Sequence, residues 1–217
     1  MEDLPRRERE KLRRSTEIVD AAEKRFIRNG FDGVSMDDIA GDLELSKPAL
    51  YRYFRNKESL YLAVVLRGMA ILRDTFKNAV SKEKTGIAKV SSFLKALCYE
   101  YVHDHPAYYR LTIVAREQRF MEMFSRHEID GAEKFGNMAL ESLMFLVDAI
   151  KLGVEDGTIR KDIEPLQTAI FLVAASEAAI NMTPEYQNLL KREYVNKDDY
   201  LGHSIELMAK GIASEPL

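Results

Sequence analysis

Ile18, Ala22, Phe26 and then Phe31 form one apolar stripe near the start of the chain. That spacing lines one face of an α-helix from about Ser15 to Asn29. Gly30 follows where a C-cap glycine belongs. A second apolar face, Met36, Ile39, Ala40 and Leu43, predicts a short helix over 36–43. Ser35 and Asp38 stand in the S-x-x-D spacing of a capping pair at its start, with Asp37 also in the first turn. After the turn Glu44-Leu45, Ser46 can cap a third helix with Pro48 in its first turn, where the missing N–H costs little. Leu50 and Phe54, four apart, face inward from it. Asn56 can cap a fourth helix from Lys57 to about Val80.

Beyond residue 80 the helical period continues, at about 87–104, 106–116, 119–126, 128–156, 165–182 and 198–212. Pro106, Gly157, Pro165 and Pro184 mark the breaks. No alternating Val/Ile/Thr-rich segment stands out, so the chain reads as all-α. Three helices in the first 55 residues, with a tight turn between the second and third, make a helix-turn-helix. The organisation this predicts is a DNA-binding domain over 1–57 and a larger helical bundle domain over 58–217.

Composition sharpens the picture. With 217 residues, 46 % of them apolar, a sizeable core is available. The net charge is −3, too acidic for a protein that coats nucleic acid in bulk. Positive charge is local: Lys47, Arg52, Arg55 and Lys57 fall within 46–57, where there is no acid. That suits a small docking face. The N-terminal run "MEDLPRREREKLRR" lacks the apolar core of a signal peptide. The most apolar run, 169–182, is too short for a membrane span and contains Glu177 and Asn181. These features predict a soluble cytoplasmic protein with no membrane partner. The one cysteine, Cys98, excludes an internal disulfide framework and lies in the apolar run "FLKALCYEY". A buried structural cysteine fits it better than a redox sensor.

The run Ile18–Val65, "IVDAAEKRFIRNGFDGVSMDDIAGDLELSKPALYRYFRNKESLYLAVV", resembles the TetR family of transcriptional regulators. The ordered string N-G-F…S…I-A…S-K-P-A-L-Y-R-Y-F-x-N-K-E-S-L carries the resemblance. Past it, the chain matches in length, helical character and the turn "GVEDGTIRKDI". The resemblance implies a TetR-like fold and a dimeric, sequence-specific regulator, usually a repressor on a palindromic operator, released by a small molecule in the C-terminal domain. The alternative keeps the DNA-binding and drops the inducer, in favour of an architectural or protein-partnered role.

The residues agree with a third helix docked in a B-DNA major groove, which admits one helix. Ser46, Lys47, Pro48 and Ala49 at its N-terminal end face base edges. Lys47 can donate to guanine O6 and N7; Pro48 and Ala49 suit a thymine methyl. Tyr51, Arg52 and Tyr53 can reach phosphates or bases. By resemblance, Tyr51 and Lys57 are backbone anchors, and Ser35 is a further phosphate-contact candidate. One departure from the family pattern is Glu44, at a turn position that calls for positive φ and where relatives most often carry Gly. The basic arm 6–14 reads either as a minor-groove arm, with Arg13 and Arg14 as contacts, or as a charge-alternating helix extension interrupted by Glu8 and Glu10.

In the C-terminal part, Ala169, Ala174, Ala175, Ala178 and Ala179, with Ile205, Leu207, Met208 and Ile212, suit a four-helix homodimer interface. Phe93, Leu97, Tyr101, Tyr108, Phe124, Asn137, Met138, Phe145 and Glu177 are candidates to line a pocket for an apolar or aromatic ligand. For any one of them, plain core packing is the better reading. No H-E-x-x-H, G-x-S-x-G or phosphate loop is present, so no enzyme, cofactor or metal site is expected. His103 and His105, two apart, point to different faces of a helix.

Overall fold

A computed structural model describes residues 5–214. Its elements are α1 (Arg6–Asn29), α2 (Met36–Asp42), α3 (Lys47–Tyr51), α4 (Lys57–Ser81), α5 (Gly86–Lys95), a π-helical segment (Ala96–Tyr101) and α6 (Val102–Asp104). These are followed by α7 (Pro106–Ala115), α8 (Gln118–Ser125), α9 (Ala132–Glu155), α10 (Pro165–Ile180), α11 (Pro184–Arg192) and α12 (Lys197–Ile212). The fold is all-α. The one β feature among the described residues is an isolated antiparallel bridge between Ile159 and Ala213.

Two compact units divide the chain. One comprises Met1–Ala70 with Pro106–Asn137, the other Ile71–His105 with Met138–Leu217. In the first, Ile18, Ala22, Phe26 and Phe31 are buried as their spacing predicts, together with Ile39, Leu50 and Phe54. Phe26, Phe31, Tyr61 and Phe120 interlock as an aromatic cluster, with Phe31 and Phe120 centroids 5.1 Å apart. Such pairs add to plain area burial. The Tyr61 hydroxyl donates to the Leu111 carbonyl at 2.8 Å, and burial pushes its pKa up.

In the second unit α12 packs on α5 and α10. Phe76 stacks on Phe93 at 4.0 Å. The first amides of α5 are capped from a remote turn. Asp156 accepts from Gly86 N–H at 2.7 Å, and the Thr158 hydroxyl accepts from Ile87 N–H at 3.2 Å. Burial alone would raise the Asp156 carboxyl. The Thr158 hydroxyl and the Gly86 and Thr158 amides outweigh it and hold the carboxyl below its ordinary range.

Several boundaries differ from the expected ones. α1 starts at Arg6 instead of Ser15. Its early turns are laced by Arg6–Glu10, Arg13–Glu17 and Arg14–Glu17 pairs, so the charge alternation of the arm supports helix. The expected helix 87–104 is interrupted by the π segment around Cys98. α11 is not among the expected helices, because Pro184 reads as a break. It stands instead in the first turn, after Thr183, where proline is well tolerated. Cys98 is buried, and burial pushes its thiol up to about 11. No single helix among the described residues is long and apolar enough to cross a membrane.

Candidate nucleic-acid interface

α2 begins with the full capping box. Ser35 Oγ accepts from Asp38 N–H at 3.1 Å, and Asp38 Oδ2 accepts from Ser35 N–H at 2.9 Å. The Ser35 hydroxyl itself donates to Asp38 Oδ2 at 2.6 Å. That bond, with the backbone one, holds the Asp38 carboxyl below its ordinary value. Ser35 is exposed at the start of α2, with its one O–H already committed.

α2 ends in a paired-bond stop. Leu45 N–H donates to Ala40 O at 2.9 Å and Glu44 N–H to Gly41 O at 3.2 Å. This is the Schellman arrangement, which places the donor of the second bond in the left-handed region. That residue is Glu44, at φ 52°. The same bond pattern recurs at His127 (φ 58°) and Tyr194 (φ 57°). The chain thus closes three helices without glycine at the position that favours it.

The turn delivers α3 with Leu50 fully buried and Phe54 nearly so. Their anchoring turns Ser46, Lys47, Pro48, Tyr51 and Arg52 outward to solvent, with Ala49 and Tyr53 half-buried. Ser46 stands at the N-cap position, and its side chain makes no cap bond. The Lys47 ammonium sits 2.9 Å from Asp37 Oδ2, across from the first turn of α2. The Asp37 hydrogen bond and charge raise the lysine above its ordinary value.

Lys57 is turned inward. Its ammonium donates to the Phe31 and Val34 carbonyls, both at 3.0 Å, and stands 4.0 Å over the Phe31 ring. Arg119, from α8, approaches the same ring at 4.8 Å and donates to both oxygens of Asp32 at 2.9 and 3.4 Å. The Arg119 hydrogen bond, aided by its charge, keeps the Asp32 carboxyl low. Arg25 grips Asp42 with two bonds of 2.5 and 2.7 Å, tying α1 to the end of α2. Sequence reasoning missed Arg119, Asp32 and Arg25. Arg119 and Asp32 lie 87 residues apart, a separation no local pattern encodes.

A groove of about 560 Å³ runs beside α3, lined by Arg7, Lys11, Arg13, Arg14 and Arg52, with Glu10, Glu17 and Tyr53. Arg14 is held by Glu17 at 2.6 Å. The arm residues therefore stand as a helical wall next to the C-terminal end of α3.

The candidate ligand residues fall in different units. Phe93, Leu97, Tyr101 and Met138 are buried in the second, with Phe145 and Glu177 half-buried there. Tyr108, Phe124 and Asn137 belong to the first. Tyr108 donates to Glu23 at 2.8 Å, Phe124 packs against Phe135 at 5.5 Å, and Asn137 is exposed. An apolar groove of about 690 Å³ opens elsewhere in the second unit, between the end of α10 and α11, where Ala175, Ala178, Met182, Tyr186 and Leu189 face it.

Residues 18–64 match the family model of bacterial regulatory proteins, tetR family. The chain carries a tetR-family domain. The matched residues contain α2, α3 and the predicted contacts from Ser35 to Lys57, and leave out Arg13 and Arg14 of the arm. The chain is similar to the HTH-type transcriptional activator FasR of Mycolicibacterium smegmatis, with 30 % identity over 105 residues, 48 % of this chain and 46 % of FasR. It is also similar to IcaR, the negative transcriptional regulator of the biofilm operon icaADBC in Staphylococcus aureus, with 26 % identity over 121 residues, 56 % of this chain and 57 % of IcaR. The chain thus spans about half the length of the curated relatives it matches. The fold as a whole is shared with solved structures, among them a transcriptional regulator of the TetR/AcrR family from Thermobifida fusca, with a TM-score of 0.66 at 18 % identity over 91 % of this chain and 97 % of that chain. AibR in complex with isovaleryl coenzyme A and operator DNA superposes with a TM-score of 0.62 at 16 % identity, over 94 % of this chain and all of AibR.

Proposed function

We propose that the chain is a sequence-specific DNA-binding transcriptional regulator, a cytoplasmic repressor that docks α3 in the major groove of a palindromic operator. The observation that carries this reading is the construction of α3. Two buried anchors, Leu50 and Phe54, leave Lys47, Pro48, Tyr51 and Arg52 exposed on one short helix inside the tetR-family domain. Ser35, Ser46, Ala49, Tyr53 and Lys57 complete the proposed contact set.

A homodimer supplies the second half-site. α10 exposes Leu166, Ile170 and Phe171, and α12 exposes Leu207. Exposed apolar residues on two neighbouring helices suit a two-fold four-helix interface. In the bound-ligand state of such a dimer, the population shifts toward a spacing of the two α3 helices that misfits DNA. An apolar ligand fits this scheme; the isovaleryl coenzyme A of the AibR complex shares an apolar acyl chain with such a ligand. The reading without an inducer is favoured by one observation: Phe93 and Tyr101, two of the candidate pocket residues, are 1 % exposed and packed as core.

Binding of the purified protein to DNA upstream of its own gene, against scrambled DNA at two salt concentrations, tests the proposal. Specific binding exceeds non-specific binding by about 10³-fold or more and weakens steeply with salt. Lys47→Ala and Tyr51→Ala both weaken specific binding. A wild-type protein that binds no DNA even at low salt overturns it.

A further inference from the structure

The Lys47–Asp37 pair is built from the first turns of two different helices and points to solvent. Its side chains are 56 % and 63 % exposed. An exposed ion pair of this kind contributes little to stability. What it does present is a donor and an acceptor side by side, 2.9 Å apart, beside Pro48 on the outward face of α3.

We infer that this pair reads a single G·C base pair, with Lys47 on the guanine and Asp37 on the cytosine. The inference rests on the proposed docking of α3 in the major groove. Across that groove a G·C pair offers N7 and O6 as acceptors, then the N4 amino group as donor. O6 and N4 are hydrogen-bonded to each other, so they stand about 2.9 Å apart, the spacing of the protein pair. The ammonium donates to N7 and O6. The carboxylate accepts the second N4 proton, and the two side chains stay together as they do in the free protein.

The other three base pairs fail for stated reasons. A C·G pair sets the N4 donor against the ammonium and O6 against the carboxylate. An A·T pair sets the N6 donor in front of the ammonium. A T·A pair offers O4 and N6 in the right order. It replaces the guanine N7 by the thymine methyl beside the ammonium, and it places adenine N7 against the carboxylate. Asp37 is therefore a specificity-determining residue. It admits one pair and penalises the rest, and it also restrains Lys47 from binding phosphates indiscriminately.

The test starts from operators selected by the full-length protein out of random duplex DNA. Affinities are then measured for every single base-pair change, with wild type, Lys47→Ala, Asp37→Ala, Asp37→Asn and the Lys47/Asp37 double-alanine variant. Wild type discriminates against any replacement of one G·C pair per half-site by about 5- to 150-fold. Both single alanine variants lose discrimination at that same position and keep it elsewhere, and the double variant loses no more than either. Asp37→Asn, which retains an acceptor but adds a donor, tolerates a second base there. Relaxation at two different positions overturns the pair, and so does an Asp37→Ala protein that binds all DNA more tightly with unchanged preferences. A wild-type protein that selects no sequence overturns the regulator reading itself, an outcome distinct from either of these.

Discussion

Replacing Lys57 by methionine separates two roles that one residue can play. Methionine keeps the aliphatic stem and deletes the ammonium. Two bonds to carbonyls disappear, to Phe31 O and Val34 O, both at 3.0 Å. Hydrogen bonds from a charged group contribute about 1.5–3 kcal/mol each. Lys57 is half-buried, so the lower end applies, or about 3 kcal/mol for the two. The cation–π interaction over Phe31 adds about 0.5–1 kcal/mol, and a methionine sulfur near the ring returns a similar amount. The expected loss is therefore about 3 kcal/mol. At about 2–4 °C per kcal/mol for a chain of this size, Tm falls by roughly 6–12 °C. Calorimetry reads the shift, and amide exchange over residues 31–36 localises it. Operator binding measured well below Tm reads the second role. If the ammonium also neutralises a DNA phosphate, its removal lowers the slope of log K against log salt by about 0.9. A Tm within about 1 °C of wild type refutes the reasoning, because the carbonyl clamp then carries no weight.

Three other outcomes follow from the same packing and electrostatics. A Cβ on Gly86 would overlap the main chain of Gly153 and lie 2.6 Å from Ala149 O. Gly86→Ala must part α5 from α9 and costs about 2–3 kcal/mol by thermal melting, whereas Gly136→Ala, with open space around it, raises stability by about 0.5–1 kcal/mol. Glu44→Gly relieves the left-handed backbone at φ 52° and stabilises by up to about 1 kcal/mol in urea melts. It also removes an acid from the α2–α3 turn, so non-specific DNA affinity rises at low salt. Cys98, with its thiol pushed up from 9.0 to about 11 by burial, stays unreactive to iodoacetamide at pH 8 until the protein unfolds. Because the folded thiol holds its proton more tightly, its contribution to stability is full below about pH 9 and is lost as the pH rises toward 11.

What is legible in the sequence lies within about five residues along the chain. The Ile18–Ala22–Phe26 stripe, the Ser35–Asp38 capping box, the inward turn of Leu50 and Phe54 and the strained position of Glu44 all follow from spacings of that range. The α1 arm carries alternating charges, and its helical form becomes plain only from the i,i+4 pairs seen in the fold. α11 escapes for a different reason. Proline ends one helix or starts the next, and Pro184 does the second. The π segment at Ala96–Tyr101 has no residue type that announces it. Lys57 illustrates the limit best. Its place at the start of α4 is readable, but the direction of its ammonium depends on carbonyls 23 and 26 residues away.

The remote interactions bear on function because α3 has only five residues. A helix that short has no stability of its own in water, so its position is imposed from outside. Leu50 and Phe54 fix it from beneath. The α1–α2 loop is fixed by Lys57 and by Arg119, through Phe31 and Asp32. The joint after α3 is fixed by Arg55, which donates to His127 O and pairs with Asp130 at 3.3 Å, and by Asn56, which donates to Glu128 O at 2.9 Å. Asp130 N–H closes the set by donating to Ser59 Oγ at 2.9 Å. Segment 106–137 therefore holds α3 at both flanks without lying beside it in sequence. In the proposed complex, the residues that face DNA set which bases are read. The angle at which they are presented is set by Asp32, Arg55 and Arg119. Alanine at any of those three therefore lowers affinity for every sequence alike, where alanine at Lys47 or Asp37 changes the preference.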